Sequence, residues 1–104
     1  MLGIDIVYLP VFKKKIKKSL DKVFLPIELS QNTTSESLAG VFAAKEAFFK
    51  AKGVKENWLE VWIEKDENGK PWIFSDLESG KKEVSITHAG EYAIAVVVIY
   101  ENAN

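Results

Sequence analysis

Apolar positions along this chain change period several times, and each change predicts an element. Leu2 to Leu9 is a short run rich in Leu, Ile and Val, which predicts a strand closed by Pro10. Phe12, Ile16, Leu20, Val23 and Phe24 then recur at helical spacing among lysines, predicting an amphipathic helix over residues 11–24. The stretch from Pro26 to Ser37 is polar, with QNTTSES (31–37) reading as a loop and Thr34 or Ser35 placed to cap a second helix. That helix, LAGVFAAKEAFFKAKG, ends near Gly53 and is apolar around most of its circumference, which predicts burial at the centre of the fold.

Strand signals dominate the second half. From Trp58 to Glu64 the chain alternates, with Leu59, Val61 and Ile63 on one face. Asn68-Gly69 marks a turn into a second strand at Trp72 to Phe74, followed by a loop with a possible short helix between Ser75 and Lys82. Val84 to His88, a tight turn at Ala89-Gly90-Glu91, and the β-branched run from Tyr92 to Tyr100 predict a closing hairpin. No linker or internal repeat interrupts the chain, so residues 1–104 read as one domain. The class is α+β: an antiparallel sheet packed on one long buried helix.

Composition narrows the chemistry. All 14 basic residues are lysine, so any phosphate is held by ammonium groups, His88, backbone amides or a metal, without guanidinium forks. The absence of cysteine excludes thiolate metal sites and thiol nucleophiles, and a single histidine argues against multi-histidine zinc sites. Oxygen-ligated Mg²⁺ fits the 15 carboxylates. The apolar start precedes the lysines, the reverse of a secretory signal, and no apolar run nears the roughly 18 residues that span a membrane. The expectation is a soluble, cytoplasmic protein.

Three features carry candidate chemistry. Strand alternation sets Gly3, Asp5 and Val7 on one side, so Asp5 either faces solvent, which the pattern favours, or is buried at a cost of several kcal/mol without a partner. Lys45, Glu46 and Lys50 are charged residues within the otherwise apolar helix. Glu46 and Lys50, four apart, form either a surface ion pair or a half-buried acid and base suited to Mg²⁺ and a diphosphate. Ser85, Thr87 and His88 end a strand before a glycine turn, as incidental surface groups or as donors to a phosphate.

The order GIDIV, LAGVFAAKEAFFKA, NGKPWI, VSITH and a closing apolar strand resembles the holo-acyl-carrier-protein synthase family, the short single-domain branch of the 4'-phosphopantetheinyl transferases. The resemblance implies that fold and Mg²⁺-dependent transfer of phosphopantetheine from coenzyme A to a serine of an apo acyl carrier protein. It implies Asp5 and Glu46 as metal ligands, Glu46 also as candidate base, and Lys50 on the diphosphate. It further implies Ser85, Thr87 and His88 as nucleotide contacts, Gly69, Lys70 and Pro71 as the adenine wall, and Gly53 as the remnant of a glycine-rich phosphate turn. Lys13, Lys14, Lys17 and Lys18 would dock an acidic carrier, and the resemblance extends to homotrimers with active sites between subunits. The chain departs from the family pattern at Tyr8, Pro10 and Val41, where charged residues are usual. Two other functions stay open at this point: a non-catalytic module that binds an acidic carrier protein, and a nucleic-acid binder using the lysine helix, disfavoured by the net charge of −1.

Overall fold

The computed structural model describes residues 1–101; residues 102–104 of the predicted domain lie outside the described residues. Strand β1 (Leu2–Tyr8) leads into α1 (Leu9–Ile16), α2 (Leu20–Val23) and α3 (Pro26–Gln31), followed by the long helix α4 (Ser35–Lys52). Strands β2 (Val61–Lys65), β3 (Pro71–Ser75), β4 (Lys82–Ala89) and β5 (Tyr92–Ile99) complete the chain. They form two antiparallel sheets, one of order β1-β5-β4 and a hairpin of β2 and β3.

Helix α4 is the core, as its apolar circumference predicts. Ala39, Val41, Ala43, Ala44, Ala47, Phe48 and Phe49 are all buried. Its ends follow from local chemistry. The Thr34 hydroxyl accepts from the Ser37 amide at 3.1 Å, and Gly53 closes the helix at φ 74, a left-handed conformation that suits glycine. Two close approaches fix how the helix crosses the larger sheet. A Cβ on Gly40 would meet Ile86 at 2.9 Å and His88 at 3.0 Å, so the N-terminal half lies over β4. A Cβ on Gly3 would collide with the Ala47 carbonyl and lie 2.7 Å from the Ala51 amide, so the C-terminal half lies over β1.

The register divides the sheet into two faces. Gly3, Val7, Ala93, Ala95, Val97 and Ile99 are buried against α4. Leu2, Ile4, Ile6, Tyr8 and Tyr92 point the other way and are exposed, beside half-buried Ile94, Val96 and Val98.

Several predicted elements differ in detail. Pro10 opens α1 instead of closing the strand, because its missing N–H costs nothing in a first helical turn. The helix predicted over residues 11–24 breaks between Ile16 and Leu20. The like-charge pairs Lys13/Lys17, Lys14/Lys18 and Lys18/Lys22 weaken a continuous helix, and the bend returns Val23 and Phe24 to the core. The first half of the polar 26–37 stretch, ahead of the predicted QNTTSES loop, forms α3, with Pro26 in its first turn and Glu28 accepting from the Leu25 amide at 2.9 Å. Residues Trp58–Glu60 form a 3₁₀ turn ahead of β2, which leaves Leu59 exposed rather than on the face of Val61 and Ile63. Trp58 stacks on Phe42 with centroids 5.0 Å apart and meets Phe49 edge-on at 5.3 Å. The segment between β3 and β4 holds no helix; Ser75 and Glu78 satisfy its amides by local side-chain bonds.

Candidate active site

Asp5 lies on the helix-facing side of β1, not on a solvated face, and only 14% of its side chain is exposed. It sits at the sheet edge where α4 passes over, and Lys50 reaches back from the last turn of that helix. The Lys50 ammonium donates to Asp5 Oδ1 at 2.8 Å and to the Ile4 carbonyl at 3.2 Å. Glu46, one helical turn earlier, is half-buried and lines the same groove as Asp5 and Lys50. Burial is the main cause that holds its carboxyl above the usual range; Asp5 and Glu56 add repulsion and Lys50 opposes them. Lys50 is held above its ordinary value first by its bond to Asp5. Two acids that repel each other and one ammonium therefore meet on a helix–strand junction that the core makes rigid.

The groove has a volume of about 530 Å³. Its opposite wall is the first helix and the bend after it, through Val11, Phe12, Ile16 and Val23, with Phe42 beneath. Lys13, Lys14, Lys17 and Lys18 are exposed along that same segment. The acids line the groove, and the exposed lysines lie on the segment that forms its other wall, with Lys15 lining the groove itself.

The remaining predicted residues do not join this cluster within one chain. His88 lies under the other half of α4, where its Nε2 is 2.9 Å from the Glu36 carbonyl. It shares a pocket of about 180 Å³ with Ser37, Val41, Lys65, Gly69, Pro71 and Ile86. Ser85 and Thr87 are on the opposite sheet face, paired with Val96 and Ile94. Ser85 and Lys70 border a separate groove between β3 and β4. Gly53 caps α4 one turn beyond Lys50, with open space around it.

The fold adds two polar groups beyond the expected set. Lys65 enters the His88 pocket and donates to Ser37 Oγ at 3.0 Å. Glu28 is fully buried and accepts from Lys45 at 2.7 Å. Its signal was present, since Pro26 followed two residues later by Glu28 is an N-terminal helix pattern.

Comparison with known proteins identifies this arrangement. The family model described as the 4'-phosphopantetheinyl transferase superfamily, of the holo-acyl-carrier-protein synthase type, matches residues 1–97. The chain belongs to that family. It is 46% identical to the holo-acyl-carrier-protein synthase of Bacillus subtilis over 80% of this chain and 70% of that protein. It is 39% identical to the Geobacillus enzyme of the same name over 94% and 93% of the two chains. The Helicobacter pylori holo-acyl-carrier-protein synthase, solved in complex with coenzyme A, superposes with a TM-score of 0.89 at 34% identity, covering 96% of this chain and all of that one. The transferase fold expected from the sequence is therefore the fold found.

Among the described residues no group of three or more histidine or carboxylate side chains is placed to hold a metal ion; Asp5 and Glu46 are the two carboxylates that line the groove, and both are hard oxygen donors. Mg²⁺ is commonly held by one or two carboxylates, with water and substrate phosphate completing its shell. The raised carboxyl of Glu46, partly caused by Asp5, is the repulsion such a cation would relieve.

Proposed function

We propose that this protein transfers the 4'-phosphopantetheine group of coenzyme A to a serine hydroxyl of an apo acyl carrier protein and releases 3',5'-ADP. The convergence of Asp5, Glu46 and Lys50 at the end of a groove walled by the lysine-bearing segment carries this reading.

The chemistry asks little covalent work of the protein. The serine oxygen forms a bond to the β-phosphorus of coenzyme A, and the bond from that phosphorus to the oxygen of the departing 3',5'-ADP breaks. Glu46, which lines the groove, accepts the serine proton. A positioned base is worth about 10²–10⁴ in rate. The Lys50 ammonium, fixed by Asp5, offsets the charge that develops on the leaving diphosphate oxygen. Asp5 and Glu46 would hold Mg²⁺, which when bound supplies charge neutralisation on the diphosphate. The rigid helix–strand junction contributes alignment, the other large term in such a transfer.

The proposal extends to the assembly. Leu2, Ile4, Ile6 and Tyr92 leave an apolar sheet face in water, the kind of patch that marks an interface. A second copy laid on it would cover that face, which also carries Ser85 and Thr87. Nucleotide contacts that one chain keeps apart would then meet across a subunit boundary, and the family resemblance supports a homotrimer. The setting would be cytoplasmic, where coenzyme A and an apo carrier meet.

Intact-protein mass spectrometry of an apo acyl carrier protein incubated with this protein, coenzyme A and Mg²⁺ tests the reading, with a chelator control. A metal-dependent gain of one phosphopantetheine supports it. No gain across several carriers, from folded protein, would sink it and leave a carrier-binding module.

A further inference from the structure

Lys45 stands one residue before Glu46, yet it takes no part in the site. Its side chain is fully buried, as is that of its partner Glu28. The ammonium donates to Glu28 Oε1 at 2.7 Å and to the Val23 carbonyl at 2.6 Å, and lies 5.5 Å from the Phe24 ring centroid. Glu28 is satisfied in turn: Oε1 also accepts from the Leu25 amide at 2.9 Å, and Oε2 accepts from the Ile63 amide at 3.0 Å. No buried side-chain donor or acceptor is left unpaired among the described residues.

A pair like this seldom stabilises a fold more than apolar side chains of the same size would. What it supplies is direction, and the place it points to is informative. Among the described residues, and apart from bonds within α1 itself, the bond from Lys45 to the Val23 carbonyl is the only hydrogen bond joining residues 10–24 to the rest of the molecule; the start of α1 is anchored separately, where the Leu9 amide donates to the Glu91 carbonyl at 2.8 Å. That segment is otherwise held by apolar contact of Phe12, Val23 and Phe24, and α2 is a single turn without a side-chain cap. Val23 also lines the groove of Asp5 and Glu46.

We infer that the Lys45–Glu28 pair is a positioning latch, which holds the lysine-bearing carrier-docking segment at a set distance from Glu46 so that the docked serine meets the acid. The inference rests on the carrier-docking reading above. Lys45 and Glu28 are positioning residues; neither touches substrate.

Two variants separate positioning from stability. Lys45→Met breaks the tether and leaves Glu28 charged and buried. Lys45→Met with Glu28→Gln removes both charges, so thermal stability recovers, but the Val23 carbonyl is still unheld. Both folded variants should keep coenzyme A binding, measured by calorimetry, while kcat/KM for apo carrier falls on the order of 10- to 100-fold, as misplacement remote from the chemistry can produce. Hydrogen exchange at residues 10–24 should quicken in both variants ahead of α4 and the sheet. Wild-type kcat/KM for carrier in the double variant, or unchanged exchange in that segment, would overturn the latch. If wild-type protein itself transfers nothing, the transferase reading fails, and the exchange experiment still decides the latch.

Discussion

Two carboxylates and one ammonium carry the proposed chemistry, and their setting decides what substitution should do. Asp5 is covered by α4 and bound by Lys50, so it cannot be moved without moving the helix. Glu46 is half-buried beside it and held above the usual carboxyl range mainly by that burial. Removing either carboxylate by Asp5→Ala or Glu46→Ala takes away half of the oxygen pair. Each variant should lose Mg²⁺-dependent transfer by on the order of 10²–10⁴ in kcat, read by the mass gain of the carrier. Thermal unfolding should show both variants folded, since neither side chain belongs to the apolar core. Transfer at the wild-type rate in either variant would remove that residue from the site.

Between single residues and the whole molecule, the element that sets partner choice is the α1–α2 segment. Its inner face packs Phe12 and Val23 on the body, and its outer face carries exposed lysines. Exposed charges act over about 8–10 Å at moderate ionic strength, so they steer an approaching acidic surface and fade as salt rises. Lys14→Glu combined with Lys17→Glu should raise the KM for apo carrier and flatten its salt dependence. The KM for coenzyme A should stay as it is, because both residues are on the rim and neither lines the acid groove. An unchanged carrier KM would make this segment an ordinary solvated surface. The break in this segment, which the lysine repulsions favour, also matters: a straight helix over residues 11–24 would carry Val23 away from the groove wall it forms.

At the scale of the molecule, the two faces of the β1-β5-β4 sheet have different fates. One is sealed by α4 and the other presents Ile4, Ile6 and Tyr92 to water. Introducing a charge in the middle of that face, as in Ile4→Glu with Ile6→Lys, should give a monomer by light scattering. Coenzyme A binding should weaken with it, since Ser85 and Thr87 would lose the neighbouring copy. A variant that is monomeric and binds coenzyme A as tightly as the parent would place the whole nucleotide site within one chain.

The sequence by itself determined the elements and most of their chemistry. The long apolar run of the central helix, the caps at Thr34 and Gly53, and the two hairpins all follow from local preferences that need no distant contact. The identities of Asp5, Glu46 and Lys50 were legible because helical spacing places Glu46 one turn before Lys50, and because family motifs occur in order along the chain. Tertiary structure alone decided which face of β1 Asp5 occupies: alternation groups Gly3, Asp5 and Val7, but only the crossing of α4 makes that the covered side. It also decided the partner of Lys45, 17 residues away in a stretch that the sequence marks only as polar. It separated Ser85 and Thr87 from Asp5 by sheet register, which depends on strand order rather than on any single strand. Local sequence sets backbone preference over a few residues, whereas burial and charge pairing are settled by whatever the fold brings alongside.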